Sequence, residues 1–134
     1  MAIADRNGLP VAAWATSAAS HEVRLAEETL HHRFTEATPQ RLIGDKAYDS
    51  DKLDQRLREA WGIEMISPHR SNRTRTAPTQ DGRPLRRSKR RWKIKRLFAW
   101  LQGFRRLVTR SEHSLLRFQS FVHLACRIIL FRHC

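Results

Sequence analysis

The residue best placed for chemistry in this chain is an aspartate that directly follows a glycine. Leu42-Ile43-Gly44-Asp45 reads as a short apolar strand ending in a carboxylate, and carboxylates are the hard oxygen ligands that Mg²⁺ takes. Taken alone, the same pair also suits a turn, because Asp bonds its own backbone two residues on. Asp49 reads as structural, on the approach to a helix cap at Ser50, and Tyr48 reads as a packing residue. Asp5 opens the tetrad Asp5-Arg6-Asn7-Gly8, which suits a hairpin tip, so it too reads as structural. A second concentration of chemistry runs through SKRRWKIKRLFAWLQGFRRLVTR, Ser88–Arg110. With the two arginines before it, this stretch offers Arg86, Arg87, Lys89, Arg90, Arg91, Lys93 and Arg96 to neutralise phosphates. Trp92 could stack on a base or pack inward, whereas Trp100, between Phe98 and Leu101, is expected to pack.

The charge distribution supports an anionic partner. Residues 1–64 carry 8 Lys/Arg against 11 Asp/Glu, a net −3, and residues 65–134 carry 18 against 2, a net +16. Such asymmetry between halves marks a nucleic-acid partner more than a merely solvated face. Cys126 and Cys134 make neither a disulfide framework nor a zinc motif, and reduced thiols fit a cytoplasmic protein. His123 and Cys126 are spaced to touch one ion, but a structural zinc takes four ligands, so no metal is assigned there. The opening residues do not form a signal peptide, and Phe118–Phe131 is too short and too polar to span a bilayer.

The elements that must position these groups follow from periodicity. Ala2–Ala4 and Leu9–Thr16 read as the arms of the hairpin. A helix is predicted from a Ser20 cap to Phe34, burying Val23, Ala26, Leu30 and Phe34. Arg41–Asp45 reads as a strand. A helix capped by Ser50 should follow, with Leu53, Leu57, Ala60 and Trp61 on one face and Gly62 past its end, and then a strand over Ile63–Ser67. Residues 68–90, rich in Pro, Arg and Thr, read as a basic loop. Two long amphipathic helices should close the chain. The first, about 89–108, has Ile94, Leu97, Phe98, Leu101, Phe104 and Val108 at helical spacing. The second, about 112–132, has Leu115, Phe118, Phe121, Val122, Ala125, Ile128 and Ile129. The alternation of strand and helix predicts an α/β class, and the length suits one domain.

Two segments, LIGDKAYDSD at 42–51 and Arg91-Trp92-Lys93-Ile94-Lys95-Arg96-Leu97-Phe98-Ala99-Trp100-Leu101, closely resemble the C-terminal half of the catalytic domain of bacterial insertion-sequence DDE transposases of the groups numbered four and five. The resemblance spans essentially the whole chain. It implies an RNase H-like mixed sheet with flanking helices, and Mg²⁺ held by an Asp on the first core strand, an Asp on a later strand and a Glu on a helix. Asp45 matches the second Asp. The helical motif, of the type R-W-x-[VI]-E-R-x-F-A-W-L, has its Glu where this chain has Lys95. A related signature of Tyr, Arg, Glu and Lys falls on Ser88, Arg91, Lys95 and Gln102, of which Arg91 alone agrees. Met1–Asp5 resembles the second core strand, so the strand bearing the first Asp is expected upstream. Protonated Lys95 has no lone pair for a metal, and Glu112, 17 residues on, lies about 25 Å away along a straight helix.

Three readings follow from the resemblance, with transposon-end and target DNA as partners. One is a partial transposase catalytic domain, residues 1–134, truncated at its N-terminus and inactive alone. Another is a non-catalytic DNA-binding or dimerisation module, a transdominant inhibitor of full-length transposase, with a second copy of itself or the full-length transposase as partner. The third is the downstream half of a frameshifted transposase.

Overall fold

A computed structural model describes residues 1–17, 22–72 and 82–133. They form two compact units, one of Met1–Thr35 with Trp92–Cys134 and the other of Glu36–Arg91. Strands and helices are mixed in both, as the α/β expectation required.

The first unit begins with an antiparallel hairpin, β1 (Ala2–Ala4) and β2 (Pro10–Ala13). Its tip is built by Asp5. The Asp5 carboxylate accepts from the N–H groups of Asn7 at 2.7 Å and Leu9 at 2.8 Å. Gly8 takes a φ of +84°, which a side chain would strain. Helix α1 (Glu22–His31) buries Ala26, Thr29 and Leu30. It stops three residues short of the predicted Phe34, because Arg33 forms a bridge with Ala12 and the Phe34 N–H donates to Val11 O at 2.8 Å. Ser20, its predicted cap, lies outside the described residues.

The predicted helix over 89–108 is broken. Residues Arg86–Arg91 form a three-ten turn, α4 runs Trp92–Gln102 and α5 runs Arg105–Val108. Gly103 and Phe104 close the α4 end with bonds to Trp100 O and Leu101 O. Among the described residues only α6 (Leu115–His133) is long, so one long helix follows the broken segment where two were expected. Leu97 and Leu101 of α4 meet Ala125, Cys126 and Ile129 of α6 and Ala13 of β2 in one apolar cluster. Phe98 and Leu115, predicted on the buried stripes, are instead exposed.

Periodicity gave no hint of Gln119. This residue is 5% exposed on α6 and clasps the end of β2. Its side-chain N–H donates to Ala13 O at 2.9 Å, and its carbonyl accepts from Ala15 N–H at 2.6 Å. The amide thus takes the place of a neighbouring strand along this edge, satisfying backbone groups that burial would otherwise leave unpaired.

The second unit is a strand–helix–strand crossover. Strand β3 (Arg41–Ile43) pairs in parallel with β4 (Glu64–Ile66), in the register Arg41↔Glu64, Leu42↔Met65, Ile43↔Ile66. A parallel pair needs a crossover connection, supplied by α2 (Asp51–Trp61). Ser50 caps this helix through Leu53 N–H, and Gly62 ends it at a φ of +64°, as predicted. Leu53 and Leu57 are buried, but Ala60 faces outward. The predicted basic loop over 68–90 is corrected in part. Residues 73–81 lie outside the described set, but Gly82–Leu85 form a short helix, α3, that runs into the three-ten turn. Among the described residues each sheet has two strands.

Candidate functional site

Asp45 stands where β3 ends, and local packing explains the glycine before it. A Cβ on Gly44 would meet the Met65 methyl and would come within 2.8 Å of the Tyr48 ring. Gly44 also donates from its N–H to Ile66 O at 2.9 Å, which continues the β3–β4 ladder past the last paired residue. The chain can then turn sharply. The Asp45 carboxylate accepts from Ala47 N–H at 2.9 Å and caps a three-ten turn, Lys46–Tyr48. Asp45 is exposed. One oxygen is engaged in the turn, and the carboxylate faces water.

Asp49 fastens the loop beyond β4 to this turn. It accepts from Arg70 N–H at 2.7 Å and lies 3.0 Å from His69 Nδ1. Arg70 in turn donates from its guanidinium to Lys46 O at 2.9 Å and Ala47 O at 2.6 Å. The structural role read for Asp49 holds, with a partner that the sequence gave no means of finding. His69 and Arg70 are residues that sequence reasoning missed; their only signal was a position just past the Pro68 that closes β4.

The basic residues divide between the two units. Arg86, Arg87, Lys89, Arg90 and Arg91 are exposed on the three-ten turn of the second unit. Trp92, Lys93, Lys95 and Arg96 belong to α4 of the first. Trp92 is 50% exposed, with the Arg96 guanidinium 4.8 Å from its ring centre. Lys93 donates to Arg6 O and Arg96 to Asn7 O at 3.4 Å, so both hold the hairpin tip as well as carrying charge. Lys95 is exposed. Trp100 stacks on His133, with ring centres 4.3 Å apart, and packs beside the apolar cluster, as expected. Glu112 pairs with Arg106 at 3.2 Å.

The donor set does not make a metal centre by itself. Among the described residues no three His, Cys, Asp or Glu side chains converge to hold a metal ion. Asp45 offers one carboxylate, and two Mg²⁺ ions about 3.5–4 Å apart need several. Cys126 is buried, and burial pushes its thiol up to about 11, which suits an apolar packing group rather than a ligand or nucleophile. No helix among the described residues is long and apolar enough to cross a membrane.

Comparison with known proteins gives the lineage. The family model described as transposase DDE domain matches residues 1–131. A protein of Brucella ovis named as transposase for insertion sequence element IS6501 is 38% identical over 92 residues, covering 68% of this chain and 67% of that protein. One of Burkholderia cepacia, named as transposase for insertion sequence element IS402, is 33% identical over 135 aligned positions, covering 95% of this chain and 59% of that protein. This chain therefore spans about three fifths to two thirds of the length of these relatives. No solved structure matches it. With a match that runs from the first hairpin to the last helix, the chain belongs to the DDE-domain transposase family.

Proposed function

We infer that this chain is the downstream part of an insertion-sequence DDE transposase catalytic domain of the four/five group. It contributes Asp45 to the metal site and a basic surface to DNA. The observation that carries this reading is the placement of Asp45, exposed at the end of a parallel strand, inside a family match that covers residues 1–131. Transposases of this family use divalent metal in general. An RNase H-like domain would call for a further core strand from upstream. That strand would bring the first Asp. The chain covers 67% and 59% of the two relatives, which leaves length in the family for such a strand.

On its own the chain does not cleave DNA. Lys95 sets a positive charge where the family has its metal-binding Glu, and a protonated ammonium cannot bind a metal. What the chain keeps is a set of DNA-binding residues, Arg86, Arg87, Lys89, Arg90, Arg91, Lys93 and Arg96 for phosphates and Trp92 for a base, with DNA and another transposase chain as partners.

A labelled duplex followed by fluorescence anisotropy tests the DNA reading. Each phosphate contact releases counterions, so six contacts lower affinity roughly a thousandfold between about 50 and 200 mM salt. Replacing Arg86, Arg87, Lys89 and Arg90 together with Ala should flatten that slope, while Arg24→Ala leaves it unchanged. Salt-insensitive binding, or no binding at low salt, would refute the reading.

A further inference from the structure

The first unit contains a groove of about 990 Å³ that the transposase reading leaves unused. It lies between the end of α1 and the last turns of α6. Its lining includes His31, His32, Arg33, His123, Arg127 and Phe131, and no carboxylate. Two walls are built before any ligand arrives. His32 stacks flat on Trp14, with centres 3.6 Å apart and planes 2° apart. His123 lies within 3.0 Å of Ala13 O and meets Phe34 edge to face at 5.4 Å. The outer rim is different. Arg127 is exposed, and Phe131 is 88% exposed, the most exposed large apolar side chain among the described residues.

An 88% exposed phenylalanine one helical turn from an exposed arginine offers a flat apolar face beside a positive charge. The volume suits a ligand of one or two nucleotides, within the usual range for small-molecule sites. A metal is not the occupant, because the three imidazoles do not converge on one point. A second copy of the same face is disfavoured as well: α6 carries Arg117, Arg127 and Arg132 and no acidic residue, so two such helices repel. We propose that this groove binds an unpaired nucleotide of single-stranded DNA, with its base on Phe131 and its phosphate on Arg127. Bases of any sequence present a π-face, so the site reads unpaired character rather than sequence. The proposal rests on the nucleic-acid reading above but concerns a separate surface and a different form of DNA.

The test uses the full 134-residue chain and two labelled probes at one salt concentration, a short oligo-dT and a duplex of matched length. Loss of one stacked base should weaken oligo-dT binding by about fivefold or more in Phe131→Ala. Arg127→Ala should act in the same direction, and Phe131→Tyr should retain near-native affinity. Duplex binding should stay within about twofold for all three, because the rim is distinct from the three-ten turn. Thermal melting checks folding, and Phe131 is exposed enough that its truncation should leave the melt unchanged. Unaltered oligo-dT affinity in a folded Phe131→Ala would overturn the groove proposal, while duplex binding would still support the wider DNA reading. A polyglutamate peptide that binds as tightly as oligo-dT, with equal dependence on Phe131, would also overturn it. Loss of duplex binding with oligo-dT binding kept would sink the wider reading and leave the groove.

Discussion

At the scale of single residues, Asp45 has one role in the fold and a second, separable one that we propose. Its carboxylate caps the three-ten turn through Ala47 N–H, and in the proposed function it is the metal ligand. Asparagine keeps the cap and removes the charge. Asp45→Asn should therefore leave urea stability within about 0.5 kcal/mol, whereas Asp45→Ala should cost about 1 kcal/mol, the usual worth of such a cap. Gly44 is constrained more tightly, because Met65 and Tyr48 occupy the space of a Cβ. Gly44→Ala should cost about 1–3 kcal/mol through overpacking at the strand end. Cys126 gives a chemical check on burial. With its thiol pushed up to about 11, it stays protonated when folded at pH values where the unfolded thiol ionises. Its contribution to stability is present below about 9 and is lost as pH rises toward 11. Iodoacetamide at pH 8 should modify Cys126 rapidly in denaturant and hardly at all in the native chain; fast native alkylation would mean that α6 does not bury it.

At the scale of elements, local chemistry was legible and long-range chemistry was not. Ser50, Gly62 and the Asp5–Gly8 turn act through neighbours within a few residues, so the sequence announced them, and the structure has all three. The break at Gly103 was missed because the apolar spacing continues through it, and spacing does not register a chain that turns inward at Phe104. Gln119 was missed for a different reason. Its partners, Ala13 and Ala15, lie more than 100 residues away in sequence. No local pattern distinguishes it from a solvated glutamine. Gln119→Leu should cost about 1–2 kcal/mol, because it leaves the part-buried Ala15 N–H without its acceptor, while Ala13 O keeps His123 Nε2 within 3.0 Å. Amide exchange at Ala15 should speed up more than exchange at Leu53 in the other unit. Equal acceleration at both sites would show that the clasp is not local.

At the scale of the whole molecule, the net −3 of residues 1–64 and +16 of residues 65–134 pointed to a nucleic-acid partner, and the motifs around Asp45 and Lys95 pointed to a transposase lineage. The lineage is what the family match establishes. Composition could not tell how the basic residues divide between the two units, because that depends on where the chain folds back after Arg91. The most direct test of the central claim is metal-dependent strand cleavage of a labelled transposon-end duplex by four chains. These are the chain as it stands, Lys95→Glu, the chain extended upstream through the first Asp-bearing strand, and the extended chain with Lys95→Glu. Two changes are needed to bring three carboxylates together, so only the last chain should cleave in Mg²⁺, and Asp45→Asn should abolish that cleavage. Cleavage by the extended chain with Lys95 intact would contradict the account, since another acid would then be supplying the third ligand.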